Sequence, residues 1–407
     1  MNQYIIFQGD GMPDLPIKSE GGKTPLMLAK TPNMDFLASK GQFGLVKTIP
    51  DGFEPQSDIG NLSLLGYNPR EVYTGRSPIE AASRGIKLDK HDVSFRLNLV
   101  TFDDRRGRWF LDDFSAGHIE PNKAQELVNA LGKCMDVNSP FEFHTGLSYR
   151  HTFVWRGGRT DIKLEPPHNL QGRDTYAFLP KEGHAKCLVN IMERAREILE
   201  AHTVNQELER LGLKVANGIW LWGQGVAPKH IKPFEIHAGF KGAAIAAVDL
   251  VRGIARLAKI ELIEVAGATG FIDTNYEGKG EAALKALEDK YSFVFVHVEA
   301  PDEAGHMGSL KEKILAIERF DSGVVGKVVK NAYRFDNLKI MVVSDHRTPI
   351  ATKTHSSHPV PFAIWNVSDS VHKNNYRKFE ENTAAQTNVF YSSGPELFFN
   401  FIDRQSS

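Results

Sequence analysis

Short apolar runs rich in β-branched residues recur along this chain, and three of them stop at acidic or imidazole side chains. Tyr4-Ile5-Ile6-Phe7, Phe293-Val294-Phe295-Val296-His297-Val298 and Ile340-Met341-Val342-Val343 are too short for helices and read as buried strands. Elsewhere the apolar spacing is helical. Leu188, Ile191, Met192, Ala195, Ile198 and Leu199 share one face within a long pattern at 184–211, and 280–291 and 310–329 predict further helices. Residues 218–222 and 260–265 read as strands, and 239–248 leads into a helix ending near Ala258. Thr24-Pro25 and Thr31-Pro32 look like helix caps followed by proline at the first helical position. Strand and helix alternate as far as Val343, which predicts an α/β fold whose mostly parallel sheet carries helices on both faces.

The pattern changes between about residues 88 and 181. Ser94-Phe95-Arg96-Leu97-Asn98-Leu99-Val100 and Leu147-Ser148-Tyr149-Arg150-His151-Thr152-Phe153-Val154-Trp155 alternate as exposed-face strands do, with an amphipathic helix at 124–134 between them. This predicts a smaller antiparallel α+β domain, 88–181, inserted into a discontinuous core domain of 1–87 and 182–407. The C-terminal stretch from 366 has little pattern beyond a strand or helix around 397–402.

The length of 407 residues allows two or three domains. A formal net charge of −1 leaves no basic footprint for nucleic acid. No run of about 18 apolar residues occurs, and the N-terminus lacks a secretory pattern, so no membrane partner is expected. Cys134 and Cys187 lie far apart and form no disulfide framework, which fits a cytoplasmic protein. Nothing in the sequence sets the oligomeric state.

The strand ends carry the chemistry. Asp10 follows the first strand, Asp302 and His306 follow 293–298 one helical turn apart, and Asp345-His346 follow the last, with His355 nine residues on. Carboxylate and imidazole are natural ligands of divalent metals, although each pair alone also fits a turn or a solvated helix start. Ser57 begins a helical pattern at Ile59, Leu62 and Leu65. It is either a helix cap or a nucleophile facing a phosphate held at that helix end. Arg76, beside another helix start, is a candidate phosphate contact.

The segments PQSDIGNLSLLGY, TGRSPIEAA, IWLWGQG, GATGFIDTNYEGKG, HVEAPDEAGHMG and SDHRTP…HSSHPVP resemble the archaeal-type, cofactor-independent phosphoglycerate mutases of the alkaline phosphatase superfamily. The likeness also includes FRLNLVT, YRHTFVW and PPHNLQGRD in the inserted region. It implies that Ser57 is transiently phosphorylated while 3-phosphoglycerate and 2-phosphoglycerate interconvert without 2,3-bisphosphoglycerate. One metal would then sit among Asp10, Ser57, Asp345 and His346, and the other among Asp302, His306 and His355. Mn²⁺, Zn²⁺ or Co²⁺ would suit these ligands, with Mg²⁺ a further candidate. The inserted domain would act as a substrate-binding lid, and Arg76, Arg96, Arg150, His151 and Lys241 would contact the small-molecule substrate. A metal-dependent phosphomonoesterase or phosphonate hydrolase using the same serine is the alternative. Ser77, Arg347 and His358 depart from the family pattern, and the last two are expected to add basic groups near the site.

Overall fold

The computed structural model describes residues 2–134, 139–289, 291–369 and 376–404. The chain divides into two compact units, one of residues 1–73 and 230–407 and the other of 74–229. The sequence places these boundaries near 88 and 182 instead. The difference has a packing cause. Helix Arg76–Ser83 and helix Lys186–Glu200 both lie against strands of the second unit, so they leave the core with it.

Numbered in chain order, the strands are β1 Gln3–Gly9, β2 Gln42–Val46, β3 Val93–Arg105, β4 Arg108–Asp113, β5 Phe141–Leu147, β6 Arg150–Trp155 and β7 Gly218–Val226. They continue with β8 Gly242–Ile245, β9 Glu261–Leu262, β10 Phe293–Val298, β11 Leu338–Val343, β12 Val360–Asn366 and β13 Phe390–Tyr391. The first unit holds an eight-stranded sheet in the order β13-β2-β12-β11-β1-β10-β8-β9. Only β12 runs against its neighbours; the other pairings are parallel. Ile5, Phe7, Val294, Val296, Ile340 and Val342 are fully buried, as central parallel strands covered on both faces require.

Register sets the functional edge. Gly9 pairs with Val298 and Gln8 with Val343, so β1, β10 and β11 run out of the sheet almost level. Whatever follows each strand is delivered to one edge. The second unit is antiparallel, with β4-β3-β6-β5 in order and β7 on the far side of β3.

Several local readings change in three dimensions. Within the stretch that leads into helix Asp249–Leu257, Gly242-Ala243-Ala244-Ile245 forms β8, where a Cβ on Gly242 would lie about 3 Å from Phe234 and Phe293. The 184–211 pattern breaks into two helices, Lys186–Glu200 and Thr203–Arg210, where the His202 ring accepts a hydrogen bond from the Val204 amide. Strand 260–265 shrinks to Glu261–Leu262, and the C-terminal pattern forms helix Gly394–Phe401. Among the described residues no helix is long and apolar enough to cross a membrane.

The helix Pro32–Lys40 is capped from a distance. Thr31 makes no capping bond; its hydroxyl goes to Asp35. Asp321, in a π-helical turn at Phe320–Val325, instead accepts from the Asn33 and Met34 amides at 3.1 and 2.7 Å and from Asn33 Nδ2 at 2.7 Å. Asp321→Ala strands these donors, and urea denaturation should show a loss on the order of 2–4 kcal/mol.

Candidate metal centre

Asp10 leaves β1, Glu299 leaves β10, and Asp345 and His346 leave β11, all at the edge where these strands end. Helix Ala300–Met307 starts at once and places Asp302 and His306 one turn apart. Asp302 Oδ2 lies 3.0 Å from His306 Nε2, and Asp302 Oδ1 lies 3.5 Å from His355 Nε2. The two imidazole Nε2 atoms face each other at 2.9 Å. His346 stacks on His355 with centroids 3.9 Å apart, and its Nε2 lies 3.2 Å from Asp345 Oδ2 and 3.5 Å from Asp10 Oδ1. Asp10, Ser57, Asp302, His306, Asp345, His346 and His355 therefore form one cluster in the first unit.

Ser57 is the first residue of helix Ser57–Leu64, not its cap; Gln56 occupies that position. Among the described residues, no amide claims the Ser57 hydroxyl. It lies instead 3.0 Å from His346 Nε2 and is only 5% exposed. Asn61 fastens this helix to the sheet edge, donating to Ser57 O at 2.8 Å and to Asp345 Oδ2 at 3.4 Å. Gly60 permits the approach, because a Cβ there would lie 2.7 Å from the Asp345 Cβ.

His297 and Glu299 belong to this cluster although the sequence reading passed over them. His297 Nε2 contacts Asp10 Oδ2 at 2.8 Å and Glu299 Oε2 at 3.4 Å. The signal was present, since His297 and Glu299 flank Val298 and alternate residues of a strand share a face.

The donor set fits divalent metal. Ligand atoms of Asp302, His346 and His355 lie within 4.8 Å of one another, as do those of Asp10, Asp345 and His346 and those of Asp10, His297 and Glu299. Among the described residues, nothing meets buried Asp10 Oδ1, Glu299 Oε2 or His297 Nδ1 in hydrogen-bond geometry. Burial, then Asp345, Glu299 and Asp302, push the Asp10 carboxyl well above its ordinary range. Burial and Asp302 raise Asp345 to about 7, and burial, Asp302, Glu303 and Asp345 raise Glu299 to about 8. Carboxylates crowded out of water in this way hold protons until a cation takes their place.

Arg76, Arg96, Arg150 and His151 belong to the second unit. There Glu80 Oε1 accepts from Arg76 Nε and Oε2 from Arg96 Nε, each at 3.0 Å, and the Arg96 guanidinium sits 4.1 Å over the Trp222 ring. Arg150 is exposed, whereas His151, on the opposite strand face, is buried with Nδ1 accepting from the Gly146 amide. Burial, then Arg84, lower His151 to about 3, so it stays neutral. Lys241 is exposed just before β8, whose Gly242 pairs with Phe293 at the start of β10. It therefore lies at the edge of the sheet opposite Asp10, away from the cluster. Arg347 and His358 each make local contacts of their own. The Arg347 guanidinium is spent on the Pro359 and Asp14 carbonyls, and exposed His358 turns to Ser356 Oγ at 2.9 Å.

A mostly parallel α/β sheet whose carboxyl edge gathers carboxylates, imidazoles and a helix-start serine is the arrangement of an enzyme that uses divalent metal. Residues 38–205 match the family described as 2,3-bisphosphoglycerate-independent phosphoglycerate mutase. A probable 2,3-bisphosphoglycerate-independent phosphoglycerate mutase of Geobacter sulfurreducens is 44% identical, over 99% of this chain and 100% of its own. A Pyrococcus horikoshii protein, PH0037, superposes with a TM-score of 0.82 at 28% identity, covering 99% of this chain and 98% of its own. The cofactor-independent phosphoglycerate mutase of Thermoplasma acidophilum gives 0.65 at 26% identity with the same coverage of both chains. The chain belongs to the family of 2,3-bisphosphoglycerate-independent phosphoglycerate mutases. It is an isomerase.

The second unit's ion network has a pH signature. Burial alone would raise the Glu80 carboxyl, but Arg96, Arg76 and Arg84 outweigh it and hold it down at about 2, against an ordinary 4.5. A depressed carboxyl stabilises the fold above its ordinary value and loses that contribution as pH falls through the depressed one. Glu80→Gln should therefore cost on the order of 3 kcal/mol at neutral pH. The gap from the parent should narrow between pH 4.5 and 2 in a thermal-denaturation series, following Glu80's own range.

Proposed function

We propose that this chain interconverts 3-phosphoglycerate and 2-phosphoglycerate through a phosphoserine at Ser57, with two divalent cations and no 2,3-bisphosphoglycerate. The observation that carries this reading is the Ser57 hydroxyl, free of any capping role and 3.0 Å from His346 Nε2 beside the carboxylate cluster. Asp10, Asp345 and His346 would hold one ion together with Ser57, and Asp302, His306 and His355 the other. His346 stands close enough to serve either. Mn²⁺, Zn²⁺ and Co²⁺ suit mixed carboxylate and imidazole donors best, with Mg²⁺ next. When bound, such ions lower the pKa of a nearby hydroxyl and offset phosphoryl charge.

Ser57 Oγ attacks the phosphorus in line, forming the O–P bond as the bond to the substrate's 3-oxygen breaks. The proton leaving Ser57 balances the one taken up by that oxygen. Glycerate then presents its 2-hydroxyl to phosphoserine, which returns the phosphoryl group and recovers the proton. Between the two steps water must be kept from the phosphoserine, the role we assign to the second unit as a lid. Its Arg76 and Arg96, preorganised by Glu80, are our candidates for the substrate's phosphate and carboxylate, with exposed Arg150 a third. We place the reaction in the cytoplasm, in glycolysis and gluconeogenesis.

Phosphorus NMR of the Mn²⁺-loaded protein with 3-phosphoglycerate tests the reading. The 2-phosphoglycerate signal should grow without added bisphosphoglycerate and without inorganic phosphate. Ser57→Ala should lower the rate by roughly a thousandfold or more. Chelation should abolish the activity, and Mn²⁺ should restore it. Inorganic phosphate as the sole product would instead make the chain a phosphomonoesterase.

A further inference from the structure

Thr348 is fully buried and touches a candidate ligand from each of two strand ends. Its Oγ1 donates to Asp302 Oδ1 and lies 3.2 Å from His346 Nδ1. A threonine hydroxyl has one proton, and the Asp302 carboxylate, which the His306 and His355 imidazoles face at 3.0 and 3.5 Å, is an acceptor with none to give. The Thr348 proton therefore goes to Asp302, and toward His346 the hydroxyl can only accept. His346 then carries its proton on Nδ1, and its Nε2 is left bare 3.0 Å from Ser57 Oγ.

The seat of this threonine is closely built. Its amide donates to Pro13 O at 3.2 Å. Its carbonyl accepts from Lys313 Nζ at 2.6 Å, and that ammonium is itself fully buried and paired with Asp14 Oδ2 at 2.9 Å. Two glycines clear the space. A Cβ on Gly11, whose φ is +58°, would stand 2.4 Å from Thr348 Oγ1 and 2.5 Å from Asp302 Oδ1. One on Gly305 would stand 2.6 Å from the Thr348 carbonyl and 2.7 Å from its methyl. Two backbone hydrogen bonds and two missing side chains hold one hydroxyl between two ligands.

We propose that Thr348 is the positioning residue that locks His346 in its Nδ1-protonated tautomer, so that Nε2 faces Ser57 and a divalent cation. The inference rests on the metal-dependent reading above and deepens it. An outer hydrogen bond of this kind sets both the ring's orientation and its basicity toward a metal.

A long-range proton–nitrogen spectrum of the metal-free native protein reads the tautomer directly, with His346 assigned by comparison with His346→Asn. The proton should be on Nδ1; finding it on Nε2 overturns the proposal. Calorimetric titration with Mn²⁺ then compares the parent, Thr348→Val and Thr348→Ser. Thr348→Val, equal in shape but without the hydroxyl, should bind Mn²⁺ about 10–100-fold more weakly, and Thr348→Ser should stay close to the parent. Equal affinity in folded Thr348→Val overturns the proposal. If Thr348→Val does not fold, the native spectrum and Thr348→Ser still decide it. A parent that binds no Mn²⁺ would overturn the metal reading, whereas the tautomer stands or falls on the spectrum.

Discussion

Carboxylates brought together out of water repel one another, and most of the first unit is arranged around that repulsion. Asp10, Asp302 and Asp345 are essentially inaccessible, and Glu299 lies beside them. In water such groups ionise near pH 4, but here burial and mutual repulsion drive Asp10, Glu299 and Asp345 upward. Asp302 moves the other way because His306, His355 and His346 overcome its burial. The imidazoles thus supply part of the missing positive charge, and divalent cations would supply the rest. Both the affinity for metal and the nearness of Ser57 to it follow from this crowding.

Crowding of this kind needs backbone able to come close. Gly60 lets the Ser57 helix rest on Asp345, and Gly11 and Gly305 make room for Thr348 and Asp302. Buried ammonium groups hold the loops from behind. Lys313 bonds the Thr348 carbonyl and Asp14, while Lys279 donates to the His297 carbonyl at 2.9 Å. Burial lowers Lys279 to about 8, the cost of keeping a cation there. Glu381 continues this support, accepting from the Asp14 amide and the Thr24 hydroxyl.

The second unit solves a different electrostatic problem. Two arginines turned toward each other would repel, and Glu80 between them turns repulsion into a fork of two charge-assisted hydrogen bonds. Arg96 is further held by the Trp222 face. Preorganised guanidinium groups lose less freedom on meeting an anion than free ones do. His151 lies on the buried face of β6, where its neutral ring accepts from the Gly146 amide.

The sequence by itself determined the residue types and their strand-end positions. Apolar runs too short to be helices, each ending in carboxylate or imidazole, located Asp10, Asp302, His306, Asp345, His346 and His355 just beyond the strand ends, because the period of a buried strand is local information. It left Ser57 open between cap and nucleophile, and only the fold decided that, by giving the cap position to Gln56 and the hydroxyl to His346. It also left Lys241, Arg347 and His358 as candidates, since charge near a motif says nothing about which sheet edge or carbonyl a side chain meets. The roles of His297 and Thr348, the distant cap on Pro32–Lys40 and the limits of the second unit were equally beyond it. Each depends on contacts between residues far apart in the chain, and those exist only once register and packing have brought the strands level.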